Sequence, residues 1–206
     1  MRLQGLGIDF DVNYIFKTVI NQILADYQAK VGNFLSAKQK ILLLQSRNNQ
    51  LSLHYPAISA QASSLAVTIS GLLSAQSALE ISGLNIINIV NTVKTNPIVA
   101  KLLAGTLSIS NITLADISTI TGLYNSITKA KDDMGGFIDS VTTHLNNVAT
   151  VESQIIALET QVGIKQGGFN IMSLLTTKNL LIAGGVLFIA TKGFGLLKAI
   201  KKYRKA

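Results

Sequence analysis

Two histidines, ten carboxylates and no cysteine are all that the chain offers for acid–base, metal or nucleophile chemistry. A protein metal site draws its ligands from short, regular spacings. His54 and His144 lie far apart, and neither has a second histidine or an acid at such a spacing. Both are expected as solvated or bundle-edge residues. Asp9-Phe-Asp11 sets two carboxylates one residue apart, a spacing that binds a divalent ion in some transferases; ahead of a helix, such acids more often cap it or favour its positive end. Ser126-Ile-Thr-Lys129 has the Ser-x-x-Lys spacing of serine acyl-enzymes, but both companion motifs are missing, and one helical turn carrying a Ser and a Lys is the ordinary explanation. Gly5-Leu-Gly7 lacks the third glycine and the preceding strand of a dinucleotide loop. Asn111-Ile-Thr113 fits a glycosylation acceptor, a pattern frequent by chance. Without cysteine there is neither thiolate chemistry nor a disulfide framework. The expectation is a non-enzymatic protein with no catalytic residue, metal or cofactor.

The remaining chemistry is charge. Lys and Arg number 18 against ten Asp and Glu, and eight of the 18 follow residue 164, so the body up to that point is balanced and the net +8 belongs to the tail. Five cations, Lys198, Lys201, Lys202, Arg204 and Lys205, crowd the last nine residues. Beside a hydrophobic segment, such a cluster is what the positive-inside tendency places on the cytoplasmic side. It also attracts anionic lipid or, nonspecifically, nucleic acid. Tyr203 is its one aromatic residue, too few for a base-stacking platform.

The hydrophobic segment itself is residues 169–200. Its uninterrupted apolar core, Asn179–Thr191, is short against the roughly 20 residues a bilayer span needs. Counted from Ile171 to Thr191 with one Lys, or from Asn179 to Ile200 with two, the length suffices, because a lysine near either edge snorkels its ammonium to the headgroups. Leu180, Leu181, Ile182, Val186, Leu187, Phe188 and Ile189 are then the membrane-anchoring side chains. Gly184 and Gly185 mark where another helix approaches closely. The bland alternative is a buried core helix followed by a basic surface helix. Residues 1–20 lack the basic and long apolar regions of a signal peptide, so insertion from the C-terminal end, or into a preformed membrane, is expected. The localisation read from this is single-pass in a membrane, with the C-terminus cytoplasmic or inside a virion.

These segments must be positioned by the preceding body, which reads as all-α. After an irregular arm, 1–11, helical seams run through residues 12–163, in arms of about 12–55, 57–94, 97–107 and 111–163. The first seam is Phe16, Ile20, Ile23, Tyr27, Lys30, Phe34, Ala37, Ile41, Leu44, Asn48, Leu51 and Tyr55. Its steps alternate four and three, the 3.5-residue period of a left-handed coiled coil, with Lys30 and Asn48 as polar register-setters. Pro56 ends or kinks it. The second seam is Ile58, Ala62, Leu65, Ile69, Leu72, Gln76, Leu79, Gly83, Ile86, Val90 and Val93, widened by Ala66, Leu73 and Ile87. Between Ala57 and Val93 the one charged residue is Glu80, so this arm is expected to be the most buried, in a bundle or between subunits. Its residues Leu65, Ile69, Leu72, Leu79, Ile86, Val90 and Val93 are expected to drive homo-oligomerisation. Asn96-Pro97 is a helix restart. The third seam is Ile117, Ile120, Tyr124, Ile127, Lys131, Met134, Ile138, Val141, Leu145, Val148, Glu152, Ile155, Glu159 and Val162. Asp132 to Gly136 is either a weak point within that helix or a turn. At about 1.5 Å per residue the long arms would reach on the order of 55 to 75 Å, predicting an elongated coiled-coil bundle. Residues 164–168 form a glycine-rich hinge to the transmembrane helix 169–200, followed by the basic tail 201–206. Only 14% of residues are charged, so the body is expected to be covered by copies of itself, other proteins or membrane.

A balanced, amide- and hydroxyl-rich helical body, a glycine hinge, one C-terminal span and a short basic end resemble, in layout, the membrane-associated helical minor structural and genome-delivery proteins of bacterial or archaeal viruses. Residues 180–205 carry most of that resemblance, which includes no diagnostic motif and transfers no residue roles. It implies a minor virion component that oligomerises, is anchored in lipid and meets capsid or other virion proteins. A pore-forming toxin or secretion translocator, with residues 57–93 entering a target membrane, is one alternative. A cellular tail-anchored tether or adaptor is another, and a soluble bundle with an amphipathic basic end a third.

Overall fold

The computed structural model describes residues 14–107 and 112–164. Among them the chain is helical throughout, without strands, and four helices pack together. The first, α1, is Ile20–His54, entered through one π-helical turn at Ile15–Val19. The second, α2, is Ser59–Thr95, entered through a 3-10 turn at Pro56–Ile58. A short α3, Pro97–Leu103, and a long α4, Leu114–Gln161, follow. The predicted transmembrane helix, the basic tail, the N-terminal arm with Asp9 and Asp11, and most of the glycine-rich hinge lie outside the described residues.

Each boundary has a local cause. Tyr55 is non-helical ahead of Pro56 (φ −128°, ψ 82°), as the clash of a proline ring with the preceding residue requires. Asn96 caps α3, accepting the Ile98 N–H at 3.0 Å, with Pro97 in the first turn. Helix α4 begins with a reciprocal cap: the Thr113 hydroxyl accepts the Asp116 N–H at 3.1 Å, and the Asp116 carboxylate accepts the Thr113 N–H at 2.9 Å. The Thr113 backbone N–H, then its hydroxyl, hold the Asp116 carboxyl below the usual carboxylate range. At the other end Gly163 adopts a positive φ of 78°, and Ile164 N–H donates to the Glu159 carbonyl at 2.9 Å. That closes the helix with a left-handed glycine and turns Ile164 back onto the core, against which it packs. The first residue of the predicted hinge therefore belongs to the body.

The chain divides into two compact units. Among the described residues one combines 14–34 with Ala75–Leu145; the other combines Leu35–Ser74 with 146–164. In the first, Phe16, Ile20 and Ile23 of α1 pack with Ile86, Val90 and Val93 of α2, Val99 and Leu102 of α3, and Ile120, Ile127 and Met134 of α4. Gly83 lies where α2 comes closest to its neighbours: a Cβ there would stand 3.0 Å from the Tyr27 ring and 3.1 Å from Phe137. In the second, Ile41, Leu44 and Leu51 pack with Ile58, Ala62, Ile69 and Leu72, and with Val148, Val151 and Ile155. In the first unit Tyr27 and Phe34 meet Phe137 and His144 in the same order, so α1 and α4 run in one direction, while Phe34 meets Gln76 and Tyr27 meets Gly83, so α2 runs in the other. In the second unit Lys40–Glu152 and Arg47–Glu159 again set α1 and α4 in one direction.

The buried positions of α1 and α2 are those of the predicted seams. Phe16 in the π-helical turn and Ile20, Ile23, Phe34, Ala37, Ile41, Leu44, Asn48 and Leu51 on α1 are buried, with Tyr27, Lys30 and, just past α1, Tyr55 half-buried. The third seam needs correction at alternate positions. Lys131 is exposed, and Ile138, Leu145 and Glu152 are half-buried, whereas their N-terminal neighbours Ala130, Phe137, His144 and Val151 are buried. Helix α4 runs unbroken through Asp132–Gly136. Gly135 and Gly136 are exposed there, and a Cβ at either would meet nothing within 4 Å. Exchanging both for Ala is therefore expected to raise stability by roughly 0.5–1 kcal/mol per site, measured as a higher urea midpoint with an unchanged slope.

Candidate functional site

The reactive-looking residues of the sequence are used structurally. Ser126 donates its hydroxyl to the Gly122 carbonyl at 2.9 Å, and Lys129 pairs with Asp133 at 2.8 Å on the exposed side of α4. The Ser-x-x-Lys pattern is thus two independent intrahelical contacts. His54 is exposed at the end of α1 in one unit, and His144 is buried in the other. No group of three or more His, Cys, Asp or Glu residues placed to hold a metal ion occurs among the described residues.

Two polar arrangements interrupt the apolar cores. In the first unit His144 is 3% exposed, and its Nε2 lies 2.9 Å from Gln76 Oε1. Gln76 is fully buried, donating its amide to the Phe34 carbonyl at 3.1 Å and, more weakly, to Glu80 Oε1 at 3.4 Å. With the Gln76 amide so engaged, its carbonyl accepts from His144 Nε2–H. The Phe34 ring sits edge-on to both the imidazole and Phe137, with centroids 6.3 and 6.1 Å away. Three helices are thus tied by one polar layer.

Burial pushes the His144 imidazole below its ordinary pKa, because desolvation penalises the charged form. The stability held by neutral His144 is therefore complete above the unfolded-state value near 6.5 and is lost as pH falls below it. The melting temperature is expected to drop between about pH 7 and pH 5, and His144→Gln to flatten that decline in a thermal-melt series.

In the second unit Asn48 donates to the Ala62 carbonyl at 2.8 Å, cross-linking α1 to α2. Arg47 and Glu159 form a bidentate pair, Nε to Oε1 at 2.8 Å and Nη2 to Oε2, with the two side chains 15% and 5% exposed. Lys40 pairs with Glu152 near the surface. These contacts fix the register of α4 against α1. The sequence placed Glu152 and Glu159 in the seam without their partners, because a cation on another helix leaves no mark on local periodicity.

The other distinctive feature is the outer side of α2. Leu65, Ile69, Leu72, Ile86, Val90 and Val93, expected to drive oligomerisation, are buried in the chain's own cores, and Leu79 is half-buried against the first unit's core. Helix α2 nevertheless keeps an open outer side. In the second unit its outward side presents Ala60, Ser63, Ser64, Ala66, Val67, Ser70, Gly71 and Ser74 to solvent. In the first unit it presents Ala75, Ser77, Ala78, Ile81 and Ser82. Val67 and Ile81 are 73% and 61% exposed. By length and composition Pro56–Thr95 is the one helix among the described residues able to cross a membrane, and 28% of its apolar window is buried.

Compared with protein-family models, with curated proteins and with solved structures, the chain matches none.

Proposed function

We propose that the protein is a non-enzymatic, membrane-anchored helical structural protein. Residues 169–200 would hold it in lipid with the basic tail on the cytoplasmic or virion-interior side. The observation that carries the reading is the combination of an apolar segment flanked by Lys198–Lys205 with a body whose α2 exposes an uncharged side. A helix that faces bulk water normally keeps charges outward. The outer side of α2 instead shows small side chains, hydroxyls and two large aliphatics, a surface suited to close approach of another helix or of lipid. The oligomer contact would therefore use this outer side rather than the buried seam. Within the class of membrane-associated viral structural and genome-delivery proteins, an oligomer of such helices would line a passage with Ser, Thr, Asn and Gln. Those groups hold phosphates only weakly compared with Lys or Arg.

A second reading, a pore-forming or translocator protein, is favoured by α2, whose length and composition suit a bilayer. Sedimentation of the full chain with and without phospholipid vesicles, combined with cross-linking to count copies, separates the two. Constant association with lipid in several copies supports the anchored structural protein. A water-soluble form that becomes lipid-bound supports the translocator, and a soluble monomer indifferent to lipid contradicts both.

A further inference from the structure

We propose that acidification unlatches α2 from the first unit and drives its insertion into lipid, the trigger being the layer formed by His144, Gln76 and Glu80. The proposal rests on the membrane-association reading and adds to it a moving element and a signal.

Gln76 and Glu80 lie near the middle of Pro56–Thr95, the helix able to cross a membrane. Gln76 is the hydrogen-bond partner through which α2 is held to both α1 and α4 in this layer. Its bond to His144 assigns the imidazole a single donor role in the packed state. A second proton places a full charge in a site that is 3% exposed and bounded by the Phe34 ring, and burying an uncompensated charge is costly. The unpacked state, in which the imidazolium meets water, gains instead.

The charged and titratable groups around the layer do not reverse this. From α2, Glu80 reaches the Gln76 amide, not the imidazole. From α1, Tyr27 stands beside Glu80, its phenol pushed up by burial and then by that carboxylate, and Lys30, one turn before Phe34, brings a further cation. On α4 the flanking acid, Asp139, is exposed. Within this unit the bond to Gln76 fixes which way the imidazole is turned.

The same protons act on the other state. Glu80 is the one charged residue between Ala57 and Val93, and a carboxylate at mid-bilayer costs on the order of 2.5–3.5 kcal/mol on insertion scales. Protonated, it leaves residues 57–93 uncharged. A proton on His144 loosens the packed helix, and a neutral Glu80 lowers its cost in lipid. No covalent step is involved.

The chain has no cysteine, so Ile81→Cys, at an exposed site, accepts a single environment-sensitive fluorophore without entering the core. The labelled full-length chain is mixed with vesicles of three parts phosphatidylcholine to one part phosphatidylglycerol and titrated from about pH 7.5 to pH 5. The expected result is a shift to the emission of a nonpolar environment on acidification. His144→Gln is expected to lower the transition midpoint, and Glu80→Gln to raise it, each by about one pH unit. Emission that does not change with pH while the chain floats with vesicles, or midpoints unmoved by both substitutions, overturns the inference alone. Failure to float at either pH overturns the membrane reading as well. If His144→Gln does not fold, the Glu80→Gln midpoint decides by itself.

Discussion

Arg47→Met is expected to lower stability by about 3–5 kcal/mol, the penalty for leaving one member of a buried ion pair without its partner. Glu159 is the member left behind. Its side chain is 5% exposed, and both carboxylate oxygens are engaged by the one guanidinium. Removing the cation leaves a carboxylate that must be hydrated within a helical interface or be protonated there. Pairing Arg47→Met with Glu159→Leu is expected to recover most of the loss, since a buried pair exchanged for packed apolar residues is often neutral or stabilising. Urea unfolding of the two single variants and the double variant measures this as a coupling energy. A single variant within 1 kcal/mol of the parent would show the pair to be solvated in solution.

The second large effect tests the register of α4. Phe137→Ala is expected to cost about 3–5 kcal/mol, the range for truncating a buried aromatic residue. Phe137 is 3% exposed, stacks on Tyr27 with centroids 6.0 Å apart, meets Phe34 edge-on and packs where Gly83 would hold a Cβ. Ile138→Ala, one residue along at a half-buried position, is expected to cost clearly less. The seam predicted from sequence would reverse that order, because it turned Ile138 inward. Thermal melts of the two variants therefore decide the register.

That reversal shows what was legible in the chain. On α1 and α2 the alternating four-three phase held to the buried residue even where an aliphatic neighbour such as Leu24, Leu35, Leu42, Leu84 or Ile89 offered an alternative. The pattern alone therefore identified the buried side of both. On α4 the step after Ile127 offered Ala130 or Lys131, and later steps offered Phe137 or Ile138, His144 or Leu145, and Val151 or Glu152. Taking the aliphatic residue at two of these four choices, and holding phase through Lys131 and Glu152, displaced those four seam positions by one residue. The interior takes instead the large ring that fills the space over Gly83, and the histidine that meets Gln76.

The boundaries at Pro56 and Asn96 were legible because proline and a capping asparagine act on their immediate neighbours. The Gln76–His144 layer and the Arg47–Glu159 pair were not, because each joins residues far apart in the chain. The low charge of α2 was read as burial. Its inner stripe is indeed buried, but its outer side is open.

The claim on which the rest depends is that residues 169–200 enter a bilayer. Alkaline carbonate extraction of vesicles carrying the full chain, compared with a chain ending at residue 168, tests it most directly. The full chain is expected to stay in the lipid pellet while the shortened chain is released, since roughly 20 apolar residues hold a helix in hydrocarbon against loss of surface charge attraction. Release of both chains to the same extent would contradict the account.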